Sequence, residues 1–111
     1  MYLRPDEVAR VLENSGFERD YITRQCYGYR KGHHYVYVNR EAKMGRTALV
    51  VHPSLRDKSS LFAAPTSPVR SSDNYRAFPA DPQGTPESHY GIPHGFSSRA
   101  SLSHYLKKMF N

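Results

Sequence analysis

Cysteine occurs once, as Cys26, and the longest strictly aliphatic run is Ala48 to Val51. A single cysteine closes no internal disulfide, which points to a reducing compartment and a cytoplasmic address. The aliphatic run falls far short of the roughly 20 apolar residues that cross a bilayer, so no membrane-spanning helix is expected. The start Met1-Tyr2-Leu3-Arg4-Pro5-Asp6 turns polar at once, and a secretory signal is therefore not expected either. The histidines His33, His34, His52, His89, His94 and His104 lack zinc-type spacing, and no cysteine pair supports them. No metal or other cofactor is expected. Internal repeats, heptads and long basic runs are also missing.

A chain of 111 residues is the size of one domain, and we read 1–111 as a single α+β unit. The apolar share of 38% is low, mainly because a Pro/Ser-rich irregular segment occupies about 53–88. The core must draw on the flanking parts. The formal charge of +6 favours an anionic partner without specifying which.

Pro5 suits a first helical turn, Asp6 and Glu7 complement the positive end of a helix dipole, and Gly16 provides a stop. These signals predict a helix over residues 5–15, with Val8, Val11 and Leu12 on its buried stripe. Gln25 to Arg30, Tyr35 to Asn39 and Thr47 to His52 are rich in Tyr, Val and Thr and read as a three-stranded antiparallel meander. Lys31-Gly32-His33 and Met44-Gly45-Arg46 supply its turns. A structureless stretch from Pro53 to Gly91 is improbable in a small domain. We expect within it a helical turn around Asp73 to Phe78 and short strands at Ala77 to Ala80 and Glu87 to Ile92, with prolines at strand ends or on an edge. Ser97 or Ser98 caps a helix over 98–109 that presents Leu102, Tyr105, Leu106, Met109 and Phe110. The expected architecture is a two-layer sandwich: an antiparallel sheet of about five strands with the N- and C-terminal helices on one face, in the order α-β3-α-β2-α.

No catalytic constellation emerges. Gly95-Phe96-Ser97 begins a nucleophile elbow, but Arg99 stands where the final glycine belongs. Met44-Gly45-Arg46-Thr47 mimics the end of a phosphate loop without its first glycine or its lysine. Arg24 and Arg30 could lower the Cys26 pKa, yet a lone strand cysteine is ordinarily packing material. Adjacent His33 and His34 would point to opposite faces if both lay on a strand. The best local anion site is the basic connection bearing Arg40, Lys43 and Arg46, although a solvated turn is the plainer reading of it.

Tyr27, Tyr29, Tyr35 and Tyr37 lie at period-two spacing in neighbouring strands. A three-residue loop would place all four rings on one sheet face. A two- or four-residue loop would instead set Tyr27 and Tyr29 beside Val36 and Val38, with Tyr35 and Tyr37 opposite. Helices must cover one face, so at least half the rings are structural, and the other face is expected to be open. Exposed rings among arginines would anchor a protein partner or stack nucleobases.

The segments Tyr27-Gly28-Tyr29-Arg30, Tyr35-Val36-Tyr37-Val38-Asn39-Arg40-Glu41, Met44-Gly45-Arg46-Thr47-Ala48-Leu49-Val50 and Tyr90-Gly91-Ile92-Pro93-His94-Gly95-Phe96-Ser97-Ser98-Arg99 together resemble the YgaC-like family of uncharacterised enterobacterial proteins. The resemblance begins at Met1 and is weakest from about Asp57 to Glu87. It implies a two-layer fold shared with the N-terminal domain of the competence regulator TfoX and grouped with secretion chaperones, and it implies no activity. The expectation is a non-enzymatic protein-interaction or regulatory module with a protein partner. The alternative is a nucleic-acid-binding accessory protein with a basic, tyrosine-rich sheet face.

Overall fold

The computed structural model describes residues 1–111. In chain order the elements are α1 (Pro5–Asn14), β1 (Glu18–Ile22), β2 (Cys26–Lys31), β3 (His34–Asn39), β4 (Leu49–Val51), α2 (Arg56–Ser60), β5 (Arg70–Ser72), β6 (His89–His94) and α3 (Arg99–Phe110). The strands form one six-stranded sheet in the order β1-β2-β3-β4-β6-β5, with every neighbouring pair antiparallel. This is the expected α+β arrangement, with one strand more than the five anticipated.

Helix α1 starts at Pro5, and the Arg4 backbone N–H donates to Glu7 Oε1 at 3.2 Å. It stops where the Phe17 and Gly16 N–H groups donate back to the Leu12 and Glu13 carbonyls, closing the last turn with Gly16 at φ 95°. Its stripe of Val8, Ala9, Val11 and Leu12 is buried. Helix α3 is capped by Ser98, whose Oγ accepts from the Ser101 N–H at 3.1 Å, and it buries Leu102, Tyr105, Leu106, Met109 and Phe110. The Leu3 N–H donates to the Phe96 carbonyl at 2.7 Å near the start of both helices, and the Phe17 and Phe110 rings meet edge-on at 5.4 Å near their ends. The two helices therefore run side by side in the same direction. Together they cover Tyr29, Val36, Val38, Leu49, Val51 and Ile92 on one sheet face.

The segment expected to be irregular holds more structure than its composition suggests. The middle helix of the expected order lies at Arg56–Ser60 as α2, not around Asp73 to Phe78; Lys58 Nζ donates to the Met109 carbonyl at 3.1 Å, and Ser59 is buried against α3. Three local expectations need correction. The helical turn around Asp73 to Phe78 is a run of turns in which the Phe78 N–H donates to the Tyr75 carbonyl at 2.9 Å. The strand at Ala77 to Ala80 reduces to a single bridge between Ala80 and His89, and the true edge strand is β5. Edge strand β1 is also additional: three of its residues, Glu18, Arg19 and Asp20, are charged and exposed, so it lacks the alternating apolar pattern by which a half-buried strand is recognised. No helix is long and apolar enough to cross a membrane.

Candidate functional site

Register decides where the tyrosines go. Lys31 pairs with His34 across a two-residue turn, so Tyr29 lies opposite Val36 and Tyr27 opposite Val38. Directly opposed residues share a face, and this face is the one the helices cover. Tyr35 and Tyr37 point to the other side. The four rings form no common surface.

The second sheet face is not open, contrary to expectation. Turns 73–78 lay Tyr75 and Phe78 across Tyr37, Val50 and Cys26, giving a second, smaller core. The Phe78 ring meets Tyr37 edge-on at 4.9 Å, Tyr75 tilts against it at 5.2 Å, and the Ala77 N–H donates to Tyr37 Oη at 2.9 Å. Tyr29 and Tyr37 are 0% and 4% exposed, so neither ring presents a face on which a ligand could stack. Burial pushes the Cys26 thiol up to about 12, against the opposing pull of Arg70 and Arg40, so the sulfur is a protonated packing group rather than a nucleophile. The arginines that reach it are not Arg24 and Arg30.

What remains accessible is the margin around Tyr27. Its half-buried ring carries the Arg40 guanidinium at 4.5 Å and that of Arg19 at 5.0 Å, and it meets Tyr29 edge-on at 6.3 Å. Arg40 is held further by donation from Nη1 to the Thr23 carbonyl at 2.7 Å. Tyr29 Oη donates to Glu13 Oε2 at 2.6 Å, and with Arg10 and Asp6 of α1 these groups line a cleft of about 150 Å³. The ion pairs of the molecule are Arg4–Glu7, Arg30–Asp20 and Arg99–Glu7. Arg19, Arg40, Lys43 and Arg46 therefore have no carboxylate partner. Lys43 and Arg46 are exposed around a short 3-10 turn at Lys43–Gly45, while Tyr35 is half-buried on the other face. Sequence reasoning missed Arg19 because it missed β1. Only the pairing of Arg19 with Tyr29, a fact of the folded sheet, brings its side chain beside Tyr27 on the next strand.

Histidines take three distinct roles. His89 Nδ1 lies 2.8 Å from the Phe78 carbonyl and helps to seat the second core. His94 is buried, with Nε2 3.0 Å from Ser59 Oγ, which in turn lies 2.7 Å from Tyr105 Oη. Burial pushes this imidazole down to about 4, and Nδ1 has no hydrogen-bond partner. The arrangement resembles a serine and its base, but Ser59 is 1% exposed and no carboxylate bonds the imidazole, so it ties α2 to the sheet and to α3. His33, His34 and His52 line a separate cavity. No three His, Cys, Asp or Glu side chains converge as a metal ion requires.

Comparison with known sequences gives relatives without a described activity. The chain is 59% identical over 110 residues to uncharacterized protein YgaC of Escherichia coli O157:H7, covering 99% of this chain and 96% of the relative. The same values hold for YgaC of Shigella flexneri. Residues 1–110 also match the family described as a protein of unknown function, DUF2002. With both layers of the fold inside that match, the chain belongs to the DUF2002 family.

Proposed function

We propose that this protein is a non-enzymatic interaction module that recognises an acidic segment of a protein partner at the β1–β2 margin. The observation that carries the reading is the Arg19–Tyr27–Arg40 stack, in which two guanidinium groups lie on one half-buried ring and neither has a carboxylate partner. An arginine stacked on a ring keeps its N–H fork free for a carboxylate. Arg40 is additionally fixed through Thr23, so less side-chain entropy is lost when an acid docks. Aromatic and arginine side chains are also the residues that dominate protein interfaces.

Nucleobase stacking fits these rings less well. Tyr29 and Tyr37 are buried, and cations occupy the face or faces of Tyr27 that a base would use. The implied likeness to secretion chaperones agrees with a protein partner, by analogy of fold alone.

The test is affinity capture at near-native expression, comparing the natural chain with an Arg19→Ala/Arg40→Ala variant whose thermal stability is first shown to be unchanged. A partner retained by the natural chain should be lost from the variant, with affinity falling by about 10-fold or more. Equal capture by both removes the platform from the interaction. In parallel, labelled single- and double-stranded nucleic acids are titrated at low and near-physiological salt. Saturable binding that survives the higher salt and is lost in the variant would replace the acidic-protein reading with a nucleic-acid one.

A further inference from the structure

At the opposite end of β2 and β3 from Tyr27, the two-residue turn opens onto a cavity of about 450 Å³ lined by His33, His34, Tyr35, His52, Ser54 and Leu55. Its volume is in the range of small-molecule sites. The two adjacent histidines do not alternate across the sheet, because only His34 lies on a strand. His33 belongs to the turn rather than to the strand, and the two rings lie 4.3 Å apart with an interplanar angle of 35°. His52 arrives from the exit of β4, alongside the start of β3.

The chemistry of this cavity is that of a donor set. His52 Nδ1 accepts the Ser54 N–H at 3.0 Å, so the neutral ring carries its proton on Nε2. The imidazoles do not converge as metal ligands, and a protonated Nε2 offers no lone pair. The electrostatic surroundings are cationic. Lys31 from β2, Lys58 from α2 and His33 from the turn act on His34, whose other neighbour is the uncharged Phe110 ring of α3. His52 faces the Phe78 ring and the Ser54 amide. Both lysines spend their donors on uncharged oxygens: Lys31 on the Ser15 carbonyl and the Asn111 side chain, Lys58 on the Met109 carbonyl. No carboxylate lines the cavity or opposes these charges. Leu55 and Tyr35 add an apolar wall.

We propose that this cavity binds a small phosphate-bearing ligand, with imidazole N–H groups donating to its oxyanion and the Leu55–Tyr35 wall taking an organic body. Burial holds the His34 and His52 pKa values below the ordinary imidazole range. A bound dianion favours the charged form of His34, whereas His52, its Nδ1 already accepting the Ser54 N–H, donates through Nε2 as a neutral ring; binding therefore takes up a proton at His34 and strengthens as pH falls through that range. The site is independent of the Arg19–Tyr27–Arg40 platform.

The probes are inorganic phosphate, phenyl phosphate and sulfate, titrated into the full chain while histidine ring resonances are followed by NMR. Sulfate keeps a constant charge near neutrality and so isolates the imidazole contribution. Saturable shifts of the His34 and His52 rings are expected, with phenyl phosphate tighter than inorganic phosphate and sulfate at least about 10-fold weaker at pH 8 than at pH 6. His34→Gln and His52→Gln should each lose about 5-fold or more, whereas Arg19→Ala/Arg40→Ala should bind as the natural chain does. Shifts that stay linear to high concentration, or saturate equally in both glutamine variants, overturn the site. If a glutamine variant does not fold, the natural chain decides alone: saturating shifts confined to the His89 or His104 rings, with those of His34 and His52 unmoved, refute the assignment. Tighter inorganic phosphate than phenyl phosphate would eliminate the organic body and with it the proposal as stated.

Discussion

Replacing Phe78 by alanine tests whether turns 73–78 are seated on the sheet as a true second core. The Phe78 side chain is 4% exposed and packs edge-on against Tyr37, with His52 at 5.3 Å and Tyr75 at 6.0 Å. Buried phenylalanine-to-alanine changes typically cost about 3–5 kcal/mol. The covering segment is a run of turns that relaxes more readily than a helix, so we expect the low end, about 3 kcal/mol. With an unfolding entropy of about 2.1 cal/mol/K per residue, that loss lowers the Tm of a 111-residue chain by about 13 °C. Differential scanning calorimetry measures the shift, and near-UV circular dichroism should report loosening around Tyr37. Phe78→Leu, which keeps most of the volume, should cost less than about 1.5 kcal/mol. A Tm drop of only about 3 °C for Phe78→Ala, well under the expected 13 °C, would mean that the segment does not pack on Tyr37 in solution. The second face would then be open, as the sequence alone suggests.

Gly45→Ala should be much more damaging than Gly32→Ala. Both glycines have positive φ, 71° and 61°, but a Cβ at Gly45 would overlap the Leu3 carbonyl, while at Gly32 it meets nothing; the left-handed backbone alone costs about 1–2 kcal/mol, and urea melts should show at least twice that loss at Gly45. Stability should fall with acid between about pH 6.5 and 4, because the unfolded chain takes up a proton at His94 that the folded chain, with this imidazole down at about 4, does not. That group alone contributes about 3 kcal/mol to the fall; His94→Leu should flatten this part of the pH profile, and an unchanged slope would assign it to other groups. Cys26, with its thiol pushed up to about 12 and 1% exposed, should react with a thiol reagent at pH 8 only as fast as the chain opens; stoichiometric modification within minutes, without loss of fold, would contradict its burial.

Local signals fixed the two long helices nearly to the residue. Pro5, Gly16 and Ser98 act through backbone groups within one turn, and the apolar stripes of α1 and α3 repeat at the helical period. The strands β2, β3 and β4 were legible because Tyr and Val crowd them. Edge strand β1 was not, since its charged side chains satisfy solvent instead of a core and its pairing with β2 is a non-local fact. Arg19 went unnoticed for the same reason. Helix α2 is five residues long, too short to form on its own propensity, and exists because Ser59 and Lys58 reach α3 and β6.

The tyrosines show where sequence stops. Their alternation was certain, but one residue of turn length separates four rings on one face from two on each, and only the Lys31–His34 pairing settles it. Local signals suffice for an α+β chain with two long helices and a set of central strands. Tertiary structure decided the rest: that a proline-rich segment seals the second sheet face, that two arginines without an ion pair meet on Tyr27, and that His52 joins His33 and His34 at one cavity. Those outcomes depend on contacts between residues far apart along the chain, whose free energy appears only after the sheet has brought them together.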